Sequence, residues 1–130
     1  MTSAPRAAFV TGATGFLGWE IARQLIEAGT QVRALSRSGT LPGDLASVEI
    51  VQGDLDDVGL LAEAMAGCHQ VFHVAADVSM WPKRWANSYA ANVVGTRNIV
   101  DAALRARIGR LVFTSSASTI GKPLGKAGPE

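Results

Sequence analysis

The stretch Ala8-Phe9-Val10-Thr11-Gly12-Ala13-Thr14-Gly15-Phe16-Leu17-Gly18 constrains the fold more than any other part of the sequence. Its apolar head reads as a short buried strand, its centre as a glycine-rich turn and its end as the start of a helix. The glycines are spaced G-x-x-G-x-x-G rather than the G-x-G-x-x-G of the common dinucleotide fingerprint. The physical demand is the same. Gly12 permits a tight turn off the strand, Gly15 leaves no Cβ between backbone and pyrophosphate, and Gly18 lets the helix pack close to the sheet. Free N–H groups and the positive end of the helix dipole then face the anion. The expected nucleotide contacts in this turn are Gly12, Thr14, Gly15, Phe16, Leu17 and Gly18. A purely structural glycine turn is the competing reading.

Downstream, strand and helix signals alternate. Phe16 to Ala28 carries Leu17, Ile21, Leu25 and Ile26 at helical spacing and is stopped by Gly29. Gln31 to Ser36 reads as a second strand, and the connection through Gly39, Pro42 and Gly43 holds too many breakers for a long helix. Val48 to Gln52 is a third strand, followed by Gly53-Asp54-Leu55 and a helix that Asp56 or Asp57 caps and Gly67 closes. Gln70 to Ala75 is a fourth strand, Asp77 to Trp85 an irregular loop, Ala86 to Arg107 a long helix, and Leu111 to Ser115 a fifth strand. The tail from Gly121 reads as loop. This alternation implies right-handed crossovers and a doubly wound parallel sheet in the order 3-2-1-4-5. Ligand is then expected at the carboxyl ends, where the order reverses between strands one and four.

Composition narrows the class. At 130 residues and 48% apolar content, the chain suits one α/β domain whose sheet is buried on both faces. Twelve basic against 11 acidic residues leave a net charge of +1, which gives no electrostatic case for nucleic acid or an anionic membrane. The single cysteine, Cys68, cannot form an internal disulfide and fits a reducing cytoplasm. No apolar run reaches spanning length, and residues 1 to 6 lack the form of a signal peptide. Cys68 is expected to have no paired thiol or basic neighbour and reads as inert. His73 reads as a packed strand residue, and no metal is expected.

The second strand ends in Arg33, Ser36, Arg37 and Ser38, with no carboxylate before Asp44. Arg37 lies nineteen residues after Gly18, where a dinucleotide fold usually sets an acid against the ribose hydroxyls. A guanidinium and hydroxyls suit a 2′-phosphate that a carboxylate would repel, so NADP is expected rather than NAD. A solvated strand-end arginine is the competing reading. Arg33 is a weaker candidate and more simply exposed. Asp54 can accept from the adenine amino group beside the Leu55 backbone, or it can start the next helix, or both. Ala75 and Ala76 end the fourth strand with side chains small enough for close passage of a ribose or nicotinamide.

Taken in order, these segments resemble the extended short-chain dehydrogenase/reductase family, which includes nucleotide-sugar epimerases, dehydratases and dihydroflavonol-type reductases. Thr11-Gly12-Ala13-Thr14-Gly15-Phe16-Leu17-Gly18 resembles its glycine turn, Gly53-Asp54-Leu55 its adenine-side motif, and His73-Val74-Ala75-Ala76 the end of its fourth strand. Tyr89 to Thr96 resembles the helix before strand five, and Leu111 to Ala117 the strand that delivers the active-site serine. The resemblance implies a Rossmann-type sheet and hydride transfer with a carbonyl, alcohol or sugar-type small-molecule substrate. It makes Ser116 the catalytic serine, with Ser115 as the runner-up, and gives Asn92 the role of pinning helix to backbone.

The resemblance also implies a tyrosine with a lysine four residues later, whose charge lowers the phenol's pKa. The one tyrosine, Tyr89, precedes strand five and is followed four residues on by Val93. Residues 1–130 therefore read as an incomplete NAD(P)-binding domain, truncated before the catalytic Tyr-Lys helix and the substrate lobe. Without later helices, Val71, Phe72, Val74, Leu111, Val112 and Phe113 are expected to be partly bare and strand five an open edge. Homo-oligomerisation or another association through strand five is the expectation. Trp81 and Trp85 add apolar surface in the loop above the site, to face substrate or a second subunit or simply to pack. A binding module that senses NADP(H) without turnover, and a structural fragment with an empty glycine turn, are the alternatives to an oxidoreductase portion.

Overall fold

The computed structural model describes residues 6–43, 45 and 47–121. Five parallel strands, β1 (Ala7–Thr11), β2 (Gln31–Ser36), β3 (Val48–Gln52), β4 (Gln70–His73) and β5 (Arg110–Phe113), pair in the order β3-β2-β1-β4-β5. The sheet is the doubly wound one the alternation predicts. β1, whose five residues are all buried, is its centre.

Side-chain alternation on the strands sets the two layers. Phe9, Leu35 and Val71 face α2 (Val58–Met65) and α4 (Gly95–Arg105), where they meet Leu61, Met65, Ile99 and Ala102. Val10, Val32 and Ala34 face α1 (Phe16–Glu27) and meet Ala22, Leu25 and Ile26, with Leu41 and Leu45 extending that layer over β3. Fully burying a side chain such as Phe9 or Ile99 stabilises the fold by about 1.5–3 kcal/mol.

Several boundaries differ from the sequence reading for identifiable reasons. β4 ends at His73 rather than Ala75 because the Val74 and Ala75 N–H groups donate to the Thr11 hydroxyl instead of continuing a ladder. β5 starts one residue and ends two residues earlier than expected, and Thr114 N–H makes the last link, to the His73 carbonyl. The long helix is not uniform. A 3₁₀ turn (Pro82–Arg84) leads into α3 (Trp85–Tyr89), then a π-helical turn (Ala90–Val94), then α4, which stops at Arg105 because Arg107 is left-handed with φ 56°. The predicted loop from Gly121 lies almost wholly outside the described residues.

Val71 is fully buried under α2 and α4, not partly bare as expected, because its strand position points it into that layer. The expectation holds for its neighbours. Phe72, Val74 and Leu111 are half-buried, while Val112 and Phe113 are 41% and 51% exposed.

Candidate functional site at the carboxyl edge of the sheet

Every strand delivers an expected site residue or pair to the same edge: Gly12 after β1, Arg37 after β2, Asp54 after β3, Ala75 and Ala76 after β4, and Ser116 after β5. At the centre, Gly12 adopts φ +75°, and a Cβ there would lie 2.7 Å from the Ala75 nitrogen. Both constraints admit only glycine. A Cβ on Gly18 would lie 2.1 Å from the Gly12 carbonyl oxygen. Gly18 therefore packs the helix onto the turn itself, not onto the sheet as expected.

Gly15 is the N-cap of α1; no side chain caps this end, and its first turn holds no acid. The turn closes with Gly15 N–H donating to the Gly12 carbonyl at 3.0 Å. Thr14, Gly15, Phe16 and Leu17 are exposed, Phe16 by 93%, so the space above the helix mouth is open. Uncapped N–H groups, a helix dipole and the lack of a nearby carboxylate in the first turn suit a diphosphate. A cleft of about 380 Å³ flanks this mouth between Thr14, Gly15, Phe16, Trp19 and Glu20 on one side and Pro42 and Gly43 on the other. It does not reach Arg37, Asp54, Ala75 or Ser116. Glu20 is tied to Arg23, whose hydrogen bond holds its carboxyl down to about 2.

Under the turn lies a buried polar cluster that the sequence did not single out as one. The Thr11 hydroxyl accepts from the Val74 and Ala75 N–H groups, both at 3.1 Å, and lies 2.7 Å from His73 Nδ1. His73 Nε2 lies 2.9 Å from the Thr96 hydroxyl of α4, and the ring stacks on Phe113 at 5.7 Å. Thr11 and His73 have no solvent exposure. His73 is thus the packed strand residue expected, and burial lowers its pKa.

The expected cofactor readers differ in how free they are. Arg37 is exposed, and among the described residues its guanidinium has no hydrogen-bond or ion-pair partner; its carbonyl accepts from Gln52 Nε2 at 3.3 Å. Arg33 is not simply exposed. It pairs with Glu49 at 3.0 Å and donates to the Ala64 and Ala66 carbonyls, closing the end of α2. Asp54 is exposed and accepts from Leu55 N–H at 2.7 Å. It does not start α2, because Asp57 is the cap, accepting from Leu60 N–H at 3.0 Å. Leu55 is anchored to α4 through Asn98, whose amide donates to its carbonyl at 2.8 Å. Ala75 is half-buried and Ala76 exposed.

Ser116 is exposed and caps the short turn Ala117–Ile120, its hydroxyl accepting from Ser118 N–H at 3.2 Å. Ser115 is exposed beside it. Asn92, in the π-helical turn, accepts from Asp77 N–H at 2.7 Å and donates to the Asp77 carbonyl at 2.8 Å, pinning the loop as expected. Trp81 and Trp85 are exposed rather than packed. Cys68 does have a basic neighbour, the Arg33 guanidinium 3.8 Å from its Sγ, but burial outweighs it and pushes the thiol up, which makes it a poor nucleophile. No described helix is long and apolar enough to cross a membrane.

A five-stranded doubly wound sheet with an open, glycine-lined helix mouth at its switch point defines a Rossmann-type α/β domain. The chain belongs to the NAD dependent epimerase/dehydratase family, whose sequence profile matches residues 8–129. It is 50% identical over 115 residues, 87% of this chain and 33% of the relative, to a putative dihydroflavonol 4-reductase of Synechocystis sp.. It is 43% identical over 112 residues, 85% of this chain and 28% of the relative, to the 2-alkyl-3-oxoalkanoate reductase of Shewanella oneidensis. Among solved structures, the Bordetella bronchiseptica enzyme WbmH in complex with NAD+ superposes with a TM-score of 0.79 at 30% identity, covering 93% of this chain and 42% of that one. MoeE5 in complex with UDP-glucose and NAD gives 0.78 at 30% identity, covering 92% and 39%. The chain spans about a third of the length of the curated relatives it matches.

Proposed function

We propose that this chain is the NADP-binding portion of an oxidoreductase acting on a carbonyl, alcohol or sugar-type small molecule. The observation that carries the reading is the uncapped mouth of α1 behind Gly12 and Gly15, open at the switch point between β1 and β4. When bound, the nicotinamide supplies hydride exchange with a substrate carbon. The N–H groups of the turn hold the diphosphate, with Thr14, Phe16 and Leu17 around it and Gly18 seating the helix. Asp54 and Leu55 meet the adenine, and Ala75 and Ala76 leave room for the ribose and nicotinamide. Ser116 is the catalytic residue of the proposal, its exposed hydroxyl donating to the substrate oxygen. Proton exchange in such a reaction needs an activated acid, and these 130 residues hold no tyrosine with a lysine four positions on.

The preference for NADP over NAD rests on Arg37, whose guanidinium is free among the described residues, between Ser36 and Ser38 in the sequence. A charge-assisted bond to a 2′-phosphate contributes about 1.5–3 kcal/mol, or roughly ten- to a hundredfold in affinity. Arg37→Ala is expected to weaken NADPH by that factor in a fluorescence titration and to leave NADH nearly unchanged. Equal losses for both nucleotides would remove the 2′-phosphate argument.

The same proposal includes association with a second copy through β5, supported by the open edge and by exposed Val112 and Phe113. It also includes a cytoplasmic setting, supported by the single buried cysteine.

A further inference from the structure

The hydroxyl of Thr11 fixes the protonation pattern around His73. A threonine hydroxyl has two lone pairs and one proton. Both lone pairs are taken by the Val74 and Ala75 N–H groups, so the proton goes to the neighbour 2.7 Å away, His73 Nδ1. Nδ1 is therefore an acceptor, and Nε2 carries the hydrogen and donates to Thr96. Buried groups of this kind are costly to leave unpaired, so the chain Val74/Ala75 N–H to Thr11 to His73 to Thr96 acts as one unit.

We propose that His73, as its neutral Nε2–H tautomer, is a positioning residue that holds the exit of β4 against the glycine turn and so keeps the nucleotide crevice in its binding shape. The reasoning is geometric. Val74 and Ala75 are the backbone that Gly12 approaches most closely, and Thr11 immediately precedes Gly12. The Thr11 hydroxyl sets where that backbone sits, and His73 sets where the hydroxyl's proton points. A second proton on the ring would sit on Nδ1 and confront the Thr11 hydroxyl proton. The hydroxyl would have to turn and accept a third donor with two lone pairs, releasing Val74 or Ala75 N–H. The gap between β1 and β4, through which the nucleotide is proposed to lie, would then lose its fixed width.

Among the described residues, the side chains that bond to or stack on the ring are Thr11 from β1, Thr96 from α4 and Phe113 from β5, none of them titratable, and the buried residues of α2 are Leu61 and Met65. Burial is the sole cause of the lowered pKa. The sign follows. The unfolded chain takes up this proton near pH 6.5 and the folded chain only below that, so folding stability declines as pH falls below about 6.5, while the latch of the folded chain holds until pH reaches the lower folded value.

The inference rests on the nucleotide reading above, and the test separates the two. Long-range proton–nitrogen correlation spectra of the 130-residue chain without nucleotide should show His73 protonated at Nε2 at pH 7.5. The Val74 and Ala75 amide signals should move together with the ring as it takes up its proton on acidification. NADPH affinity is then followed over the same range for the wild type and for His73→Asn, whose side-chain oxygen replaces Nδ1 as an acceptor without titrating. The phosphate of NADPH titrates in both series, so the difference between profiles reads the histidine. We expect the wild type to lose at least threefold more affinity than His73→Asn by a pH half a unit below the ring's titration midpoint in those spectra. An Nδ1–H tautomer, amides that ignore the ring's titration, or parallel affinity profiles would overturn the latch. If His73→Asn does not fold, the tautomer and the wild-type amide titration decide. Absence of NADPH binding at every pH, with the ring and amides behaving as described, would overturn the nucleotide reading and the latch's role in serving it.

Discussion

Gly12 and Gly29 share a left-handed backbone, φ +75° and +79°, yet they are under different constraints. A methyl group on Gly29 meets nothing within 4 Å, whereas one on Gly12 meets the Ala75 nitrogen at 2.7 Å. Gly29→Ala should therefore cost about 1–2 kcal/mol, the penalty of the left-handed conformation alone. Gly12→Ala should cost a further 1–3 kcal/mol or so, because β4's exit must move. Urea unfolding of the two variants measures the difference, and equal costs would contradict the close approach of turn and strand. The need for glycine at position 12 is readable from the motif because it is local. The Thr11–His73–Thr96 cluster is not, because its members are 62 and 23 residues apart and meet only once β1, β4 and α4 are in register. Arg33 shows the same limit. Its place in the sequence suggests an exposed cation, and only the packing of α2 reveals the carbonyls it closes over.

At the scale of elements, strand order and the two helical layers were legible because hydrophobic periodicity and glycine stops are short-range signals. The break of the long helix was not. The π-helical turn at Ala90–Val94 carries no breaker residue; its visible correlate in the structure is Asn92, which holds Asp77 from both sides. Among the described residues no strand pairs with the outer side of β5. Val112 stands exposed on the α1 side, with half-buried Phe72 next to it in register. Sedimentation velocity should show a concentration-dependent dimer or higher species for the wild type. Val112→Lys, which puts a charge on the edge strand, should shift it to monomer. A wild type that stays monomeric across the concentration series would contradict association through β5.

For the molecule as a whole, the sheet order puts the candidate contacts of all five strands on one edge although they are scattered from residue 12 to residue 116. That convergence was legible, since parallel strands joined by right-handed crossovers must present all their carboxyl ends together. What the convergence does at each point was less so: Ser116 caps a turn, Asp54 holds its own loop, and of the expected contacts the cleft beside α1 reaches Thr14, Gly15 and Phe16 alone. The central claim is that the mouth of α1 seats the diphosphate of a nicotinamide nucleotide. It is tested most directly by titrating NADPH into nitrogen-15-labelled chain and following the backbone amides. Saturable shifts concentrated at Gly12 to Gly18, with a second group at Arg37 and Ala75, are the predicted result. Saturable binding that leaves the Gly12 to Gly18 amides unmoved, or no binding at all, would contradict it.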